Sequence, residues 1–324
     1  MLVYDLKVGY SCNNRCKHCV IEDSKNKLIS NNIKMDLTTQ ECLDQIDKEL
    51  KKGIKHIVLT GGEVTLRKDF NILIKKCIDN NLGITVQTNG RMLSNDRVIE
   101  SINNIDDIRF VVALHGANSY THDNITQIQG SFEETCQGIS TMVKQNKLVI
   151  IKVVISKINM LELEDIVKLA NNLGVKYICF AFPHAQGGAR INFNEVIPTY
   201  SNIKDILEKV INKSEEMKVN IEFEAIPFCI IPKHMRLVGE LKYLRSSSIC
   251  TQVKEKTFEW DDIRKSIKRK GKNCFKCSLD SVCEGPWSEY IDAFGEDELK
   301  PIILSEENKN KILNAICKFG LNKI

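Results

Sequence analysis

The chain has 324 residues, 43% of them hydrophobic and 27% charged, with a formal net charge of +4; that is apolar material enough for one large domain, or for a large domain with a smaller companion. No run of about 18 apolar residues exists to cross a bilayer, Tyr4 and Asp5 interrupt the N-terminus where an export signal needs an apolar stretch, and so mild a charge requires no nucleic-acid partner. Thirteen cysteines, an odd number in a chain without an export signal, disfavour a disulfide framework and favour metal ligation or free thiols in a cytoplasmic protein.

In chain order, the apolar run over residues 2–10 reads as a buried strand and leads into Cys12-Asn13-Asn14-Arg15-Cys16-Lys17-His18-Cys19. Residues 38–53 read as a helix: Thr38 and Glu41 are spaced as a capping box, Leu43, Ile46 and Leu50 form one apolar face, and Gly53 marks the stop. A short strand over 56–60 runs into Gly61-Gly62-Glu63, and Phe70, Leu73, Ile74, Cys77 and Ile78 then repeat at helical spacing. Strands over 84–88, 108–114, 148–155 and 177–182 alternate with helices over 96–103, 132–144 and 161–172. The alternation predicts right-handed βαβ crossovers and a parallel sheet of six units, short of the eight of a closed barrel, with a doubly wound open sheet as the competing arrangement. After a helix over 203–217 the rhythm stops. Residues 221–226 read as one more strand, and from Pro227 onward the chain is irregular, basic and cysteine-bearing, so a domain boundary is expected near residue 218.

In parallel β/α folds ligands bind at the carboxyl ends of the strands, and three segments gather there: the cysteine loop after the first strand, Gly61-Gly62-Glu63 after the second and Thr88-Asn89-Gly90 after the third. Three thiolates so close in sequence are able to converge on one metal centre yet fall one short of a tetrahedral set, so an open coordination position belongs to the reading. Buried free cysteines, a disulfide pair or part of a zinc site are the plain alternatives. Two glycines admit a close backbone approach and a carboxylate accepts ammonium protons, although Gly-Gly-Glu and Thr-Asn-Gly are also ordinary turns. His115, ending the fourth strand, points toward the same cavity, though a lone histidine is more often structural; Ser156 and Asn159 hold a similar position after the fifth. Ser131 and Glu134 are spaced as a further capping box. Cys42, Cys77, Cys136, Cys179 and Cys317 lie among apolar neighbours and read as core.

Toward the C-terminus Cys274, Cys277 and Cys283 form a second group in a loop-rich setting. Cys229 is the preferred fourth ligand, because it follows the last strand where the chain turns to cover the mouth of the sheet; Cys250 is its rival, and a structural zinc site is the alternative for the group. Residues 264–272 hold six basic side chains and read as a solvated face, with a site for an acidic peptide, a phosphate-bearing substrate or RNA as the competing idea.

The CxxxCxxC spacing of Cys12, Cys16 and Cys19, with the His18 ring before the last cysteine, closely resembles the signature of radical S-adenosylmethionine (SAM) enzymes. Gly61-Gly62-Glu63-Val64-Thr65 resembles that family's GGEPT stretch with Val64 in place of proline, Thr88-Asn89-Gly90 resembles its strand-three segment, and residues 120–138 resemble another common stretch. The resemblance implies an α/β fold, a partial (β/α)6 barrel over residues 1–218, in which Cys12, Cys16 and Cys19 bind a [4Fe-4S] cluster whose fourth iron is left to SAM. His18, Gly61, Gly62, Glu63, Thr88, Asn89 and His115 would surround the SAM pocket. Cys274-x2-Cys277-x5-Cys283 resembles the middle of the SPASM motif, but Trp287 stands where the full pattern has another cysteine. A shorter twitch arrangement is therefore implied: a small irregular domain over residues 219–324 with one auxiliary [4Fe-4S] cluster on Cys229, Cys274, Cys277 and Cys283, with Cys250 or substrate as the other candidates for the fourth position.

The activity this implies is reductive cleavage of SAM to a 5′-deoxyadenosyl radical, followed by C–H abstraction and net oxidation or cross-linking of a peptide or protein side chain, with a flavodoxin or ferredoxin as reductant. A first strand beginning near residue 2 leaves no N-terminal domain to recognise a leader peptide, so a sugar, nucleoside or cofactor precursor is the alternative substrate. A non-catalytic iron-sulfur or zinc protein is the second alternative, and neither membrane nor nucleic acid is expected as a partner.

Overall fold

Each apolar run that alternates with a helical stretch becomes a strand of one sheet. In the computed structural model, which describes residues 2–244 and 247–319, the strands are β1 (Leu2–Lys7), β2 (His56–Thr60), β3 (Gly83–Thr88), β4 (Ile108–Ala113), β5 (Leu148–Val154), β6 (Tyr177–Ala181), β7 (Asn220–Glu224), β8 (Ser247–Thr251) and β9 (Phe258–Glu259). The helices are α1 (Glu22–Ser30), α2 (Thr39–Leu50), α3 (Phe70–Asp79), α4 (Asp96–Ser101), α5 (Ser119–Thr126), α6 (Ser131–Lys144), α7 (Leu163–Asn172), α8 (Gly188–Ile191), α9 (Phe193–Val196), α10 (Tyr200–Met217), α11 (Trp260–Ile267), α12 (Ser288–Phe294) and α13 (Glu306–Phe319).

The sheet runs β7-β6-β5-β4-β3-β2-β1-β8-β9 and is parallel except where β9 meets β8. From β1 to β7 neighbours in the sheet are also neighbours in sequence, which right-handed crossovers achieve by keeping every connecting helix on one face. A doubly wound sheet would reverse its order midway, so the barrel-type topology is the one adopted. The sheet also curls. The 3-10 turn Gly239–Leu244 packs on β7, and two residues separate Leu244 from β8, a reach of about 11 Å. The β7 edge and the β8 side of the sheet are thereby drawn together around a lumen.

Side chains alternate across a strand, and here the two faces differ in chemistry. The helix side is apolar and closed: Leu6, Leu59, Val86, Phe110, Ile151, Phe180 and Phe223 are fully buried, as are Ile46 of α2, Leu73 of α3, Ile166 of α7 and Leu207 of α10. The lumen side carries Asp5, Lys7, Thr60, Gln87, Arg109, Lys152, Glu222 and Glu224, which share the opposite register. This division aims polar chemistry inward and leaves cohesion to the outer layer.

The structure departs from the sequence reading in several places. The segment after Pro227 is not irregular throughout: β8 pairs in parallel with β1, so the sheet itself runs past residue 218. Its five residues, Ser-Ser-Ile-Cys-Thr, are too short and polar to stand out as a strand. Thr38 and Glu41 do form a capping box, but Ser131 and Glu134 do not. Gly130 precedes α6, and the Ser131 hydroxyl instead donates to Asp123 (2.7 Å). The basic run is a solvated face at Lys265, Arg269, Lys270 and Lys272 but departs from that reading at the buried Arg264 and Lys268. Lys268 is buried and pairs with Glu240 (2.6 Å) and Glu284 (2.9 Å), Arg264 pairs with Asp261 and Glu284, and Lys270 pairs with Asp280. Cys42 and Cys77 are buried in the core as expected, whereas Cys179 is buried on the lumen side beside charged groups; the Cys317 side chain lies outside the described residues. Phe110→Ala should cost about 3–5 kcal/mol of stability. Leu161→Ala, at an 80% exposed position, should cost no more than about 0.5 kcal/mol. Urea titrations of the two variants measure this, and equal losses would contradict the placement of Phe110 in a closed core.

Candidate active site

The cysteine loop leaves β1 and is held from three sides. Asp36 accepts the backbone N–H groups of Tyr10 and Ser11 (3.0 Å each) and the Ser11 hydroxyl (2.5 Å), and Gly9 has no side chain because a Cβ there would lie 2.1 Å from the same carboxylate. From α5, the carbonyls of Thr126 and Ile125 accept the N–H groups of Arg15 and Lys17 (2.9 Å each). From the segment after β6, the Gly188 N–H donates to the Cys19 carbonyl (2.8 Å), and Asn192 donates to the Lys17 carbonyl (3.0 Å). A backbone so constrained presents Cys12, Cys16 and Cys19 on one short turn, in which the Cys19 N–H donates to the Cys16 carbonyl (3.1 Å).

Gly61 and Gly62 face this loop. The N–H groups of Gly62 and Glu63 donate to the carbonyls of Gly9 and Ser11 (2.8 Å each), and a Cβ on either glycine would meet those same oxygens at 2.1 and 2.2 Å. The pair is small, then, because β2 must close on the cysteine loop. Glu63 is buried, and its carboxylate accepts from the Thr65 N–H (3.0 Å), the Thr65 hydroxyl (2.5 Å), the Thr88 hydroxyl (2.7 Å) and the Asn89 N–H (2.7 Å). The carboxylate expected to face a ligand ammonium thus spends most of its acceptor capacity locking β3 to β2. Asn89 in turn donates its amide to the Asn13 side chain (2.7 Å), 3.9 Å from the Cys12 sulfur.

Sequence reasoning missed Arg91, whose guanidinium donates to the Asn13 carbonyl (2.6 Å) and the Asn14 side chain (3.0 Å) and pairs with Glu134. Its signal was its place directly after Thr88-Asn89-Gly90. It also missed the segment after β6, whose Gly187-Gly188 pair packs against the carbonyls of Cys16, Lys17 and Cys19.

His18 and His115 do meet, ring edge to ring face at 4.4 Å. The His115 backbone N–H donates to His122 Nδ1 (3.1 Å), and the His115 ring accepts at Nδ1 from the Val154 backbone N–H (3.3 Å), which leaves Nε2 as the protonated ring nitrogen. Burial lowers His18 to about 4 and holds His115 well below the ordinary imidazole range, so both rings are neutral donors or acceptors rather than cations. Asn159 is a cross-brace. It donates to the carbonyls of His115 and Val154 and accepts from Ser156, so neither Ser156 nor Asn159 is offered to a ligand.

The three thiols suit a cationic centre. Burial raises Cys16, and the neighbouring Cys19 and Cys12 add to that; burial raises Cys12 to about 11. Without a cation the thiolates are disfavoured, and a bound metal reverses that balance. A single zinc ion with bonds near 2.3 Å holds its sulfurs about 3.8 Å apart. Among the described residues the one His/Cys/Asp/Glu trio within 4.8 Å of one another is Cys179, Glu222 and Glu224.

The second group also comes together. Cys229, Cys274, Cys277 and Cys283 line one cavity with Pro227, Phe228 and Leu299. Burial raises Cys229 to about 12, with Cys283, Cys274 and Cys277 as its charged neighbours, and the Ile302 N–H donates to the Cys277 sulfur (3.4 Å). Cys250 lies apart in β8 opposite Asp5, with Asp5, Lys7 and Glu259 around it. Trp287, standing where another cysteine was weighed, stacks on His184 at 4.2 Å and donates to the Phe182 carbonyl at the end of β6 (3.3 Å).

The family model described as the Radical SAM superfamily matches residues 6–170. An AdoMet-dependent heme synthase of Methanosarcina barkeri is 28% identical over 229 residues, 70% of this chain and 62% of that protein. Mycofactocin maturase MftC of Mycolicibacterium smegmatis is 23% identical over 218 residues, 67% of this chain and 53% of that protein. The chain thus spans about half to two thirds of the length of these curated relatives. Among solved structures, anSMEcpe with bound AdoMet superposes with a TM-score of 0.65 at 12% identity over 99% of this chain and 100% of that one. Streptococcus suis SuiB bound to its precursor peptide SuiA gives 0.63 at 15% identity over 94% and 75%. Both show the same fold.

Arg91→Met should weaken iron retention at the cysteine loop by about 10-fold or more against a chelator, since it removes two ties that orient the ligands. Chelation time courses with circular dichroism as the folding control measure this, and wild-type retention would contradict the assigned positioning role.

Proposed function

Because the chain belongs to the radical SAM superfamily, we propose that it cleaves SAM reductively and uses the radical to oxidise or cross-link a peptide or protein substrate. When bound, the [4Fe-4S] cluster and SAM supply a one-electron cleavage of the sulfonium, and the 5′-deoxyadenosyl radical so released takes a hydrogen atom from an unactivated C–H bond. Cys12, Cys16 and Cys19 would hold that cluster, with SAM as the further ligand that three thiolates leave room for. The carbonyls of the Gly61-Gly62 turn and the remaining acceptor capacity of Glu63 take the SAM ammonium, Asn89 keeps the Cys12 side of the loop in register, and the neutral His18 and His115 rings line the pocket.

The observation that carries the oxidative reading is the cavity lined by Cys229, Cys274, Cys277 and Cys283. In this reading residues 219–324 carry one auxiliary cluster with four protein thiols, which leaves no iron position open to anchor substrate and favours oxidation over isomerisation. A peptide substrate is supported by the maturase similarity, by the match to the subtilosin biosynthesis protein AlbA of Bacillus subtilis, and by SuiB, which was solved with its precursor peptide. The reductant would be a flavodoxin or ferredoxin. A second reading, a cofactor precursor or nucleotide as substrate, is favoured by the 28% identity to the heme synthase and by the 26% identity to a GTP 3′,8-cyclase of Aliarcobacter butzleri.

Anaerobic reconstitution with iron and sulfide, then dithionite and SAM, should yield 5′-deoxyadenosine; intact clusters without SAM cleavage would contradict the proposal, and stoichiometric zinc without iron would favour a non-catalytic metal protein. Cys229→Ala should lose about four irons per chain while Cys250→Ala keeps them. Equal iron counts in both variants would overturn the ligand assignment.

A further inference from the structure

One wall of the lumen carries more charge than its fold requires. Lys152 of β5, Cys179 of β6 and Glu222 of β7 are lateral partners in the sheet, and Glu224 lies one step nearer the carboxyl ends, in line with Val154 and Ala181. Lys152 Nζ donates to one Glu224 oxygen (2.6 Å), and Lys242 donates to the other (2.8 Å) and approaches Glu222 (3.5 Å). The lateral partners of Lys152 and Val154 on β4 and β6 include Ala113 and Ala181, so an apolar residue serves this wall elsewhere.

Two roles can be separated. Lys242 belongs to the turn that covers the edge of β7, so its ion pairs fasten that turn to the sheet. Lys152 joins β5 to β7 across β6 through Glu224 and ties no covering turn to the sheet. It has three N–H donors, of which Glu224 takes one, and among the described residues no other acceptor takes the remaining two. Its side chain is 32% exposed and that of Glu224 is 23% exposed, on the inner face of a curled sheet. Lys152 lies two residues before the end of β5, about 7 Å below the level of the strand ends that carry the cysteine loop, Glu63 and His115. Burial is the largest influence and works against its charge, but Glu224 and Cys179 together overcome it and raise the ammonium above its ordinary range. Cys179 and the two glutamates have the spacing for a single metal ion, but Lys152 and Lys242 already occupy the glutamate oxygens, so a cation would have to displace two ammonium groups.

We propose that Lys152 anchors a carboxylate of the substrate and that Glu224 accepts an N–H from the same molecule, so that the lumen recognises a carboxylate-bearing amino-acid unit beneath the SAM pocket. A doubly charged phosphate fits less well, because Glu222 and Glu224 stand beside the lysine and repel the second charge. The inference rests on the lumen being the substrate compartment of a radical SAM enzyme. Its test needs neither reductant nor SAM cleavage, so either idea is able to fail while the other stands.

The probes are N-acetylglutamate α-amide, N-acetylglutamine α-amide and inorganic phosphate, titrated into the anaerobically reconstituted full chain and followed by ligand-observed NMR. The glutamate probe should bind saturably, the glutamine probe at least about tenfold more weakly, and Lys152→Met should lose at least about tenfold for the glutamate probe while Lys152→Arg retains most of it. Equal binding of the two amides to wild type overturns the proposal without recourse to any variant. So does unchanged affinity in a folded Lys152→Met, and tighter binding of phosphate than of the glutamate probe overturns the choice of a carboxylate.

Discussion

A buried carboxylate with four donors holds the site together. Glu63 sits where β2 ends, and its hydrogen bonds reach the Thr65 turn and both Thr88 and Asn89 at the end of β3. Hydrogen bonds to a charged group contribute about 1.5–3 kcal/mol each, and leaving such a carboxylate unpartnered in the interior would cost more than any one of them returns. The strand ends are consequently fixed relative to each other, and the backbone of Gly62 and Glu63 passes that order to the cysteine loop through two bonds of 2.8 Å. A site that orients a reactive cofactor needs this kind of pre-set frame, because small misplacements at the reacting atoms are costly.

The same economy appears in the sheet. Consecutive strands and one-sided helices put the apolar face outward under the helices and the polar face inward, so the lumen is free to vary in chemistry without loss of the core. Lys152 on β5 and the glutamates on β7, with Lys242 from the covering turn, exploit that freedom. In the C-terminal part, the Lys268, Glu240 and Glu284 ion pairs and the Trp287 stack on His184 dock the second cysteine group onto the end of β6.

Much of this was legible in the sequence. Strand and helix alternation through residue 217 was readable because each element has a strong period, and the three strand-end motifs were found because ligands in such folds gather there. Cys229 was preferred to Cys250 from its position after the last strand, and it is Cys229 that lines one cavity with Cys274, Cys277 and Cys283. What sequence periodicity cannot express is pairing across long separations. β8 joins β1 across more than 240 residues, Arg264 and Lys268 of the basic run turn inward to acidic partners, and Arg91 acquires its role only when the cysteine loop folds over it. Gly61 and Gly62 were picked out correctly as positions of close approach, but their close neighbour proved to be the chain itself.

The central claim is that the cysteine loop carries a cluster with one iron open to SAM. Electron paramagnetic resonance of the dithionite-reduced protein, recorded with and without SAM, tests it most directly, with Cys229→Ala used to remove any auxiliary signal. The account predicts a reduced-cluster signal whose g-values shift on addition of SAM and which is lost in Cys16→Ala. A signal indifferent to SAM, or one that persists in Cys16→Ala, would contradict it.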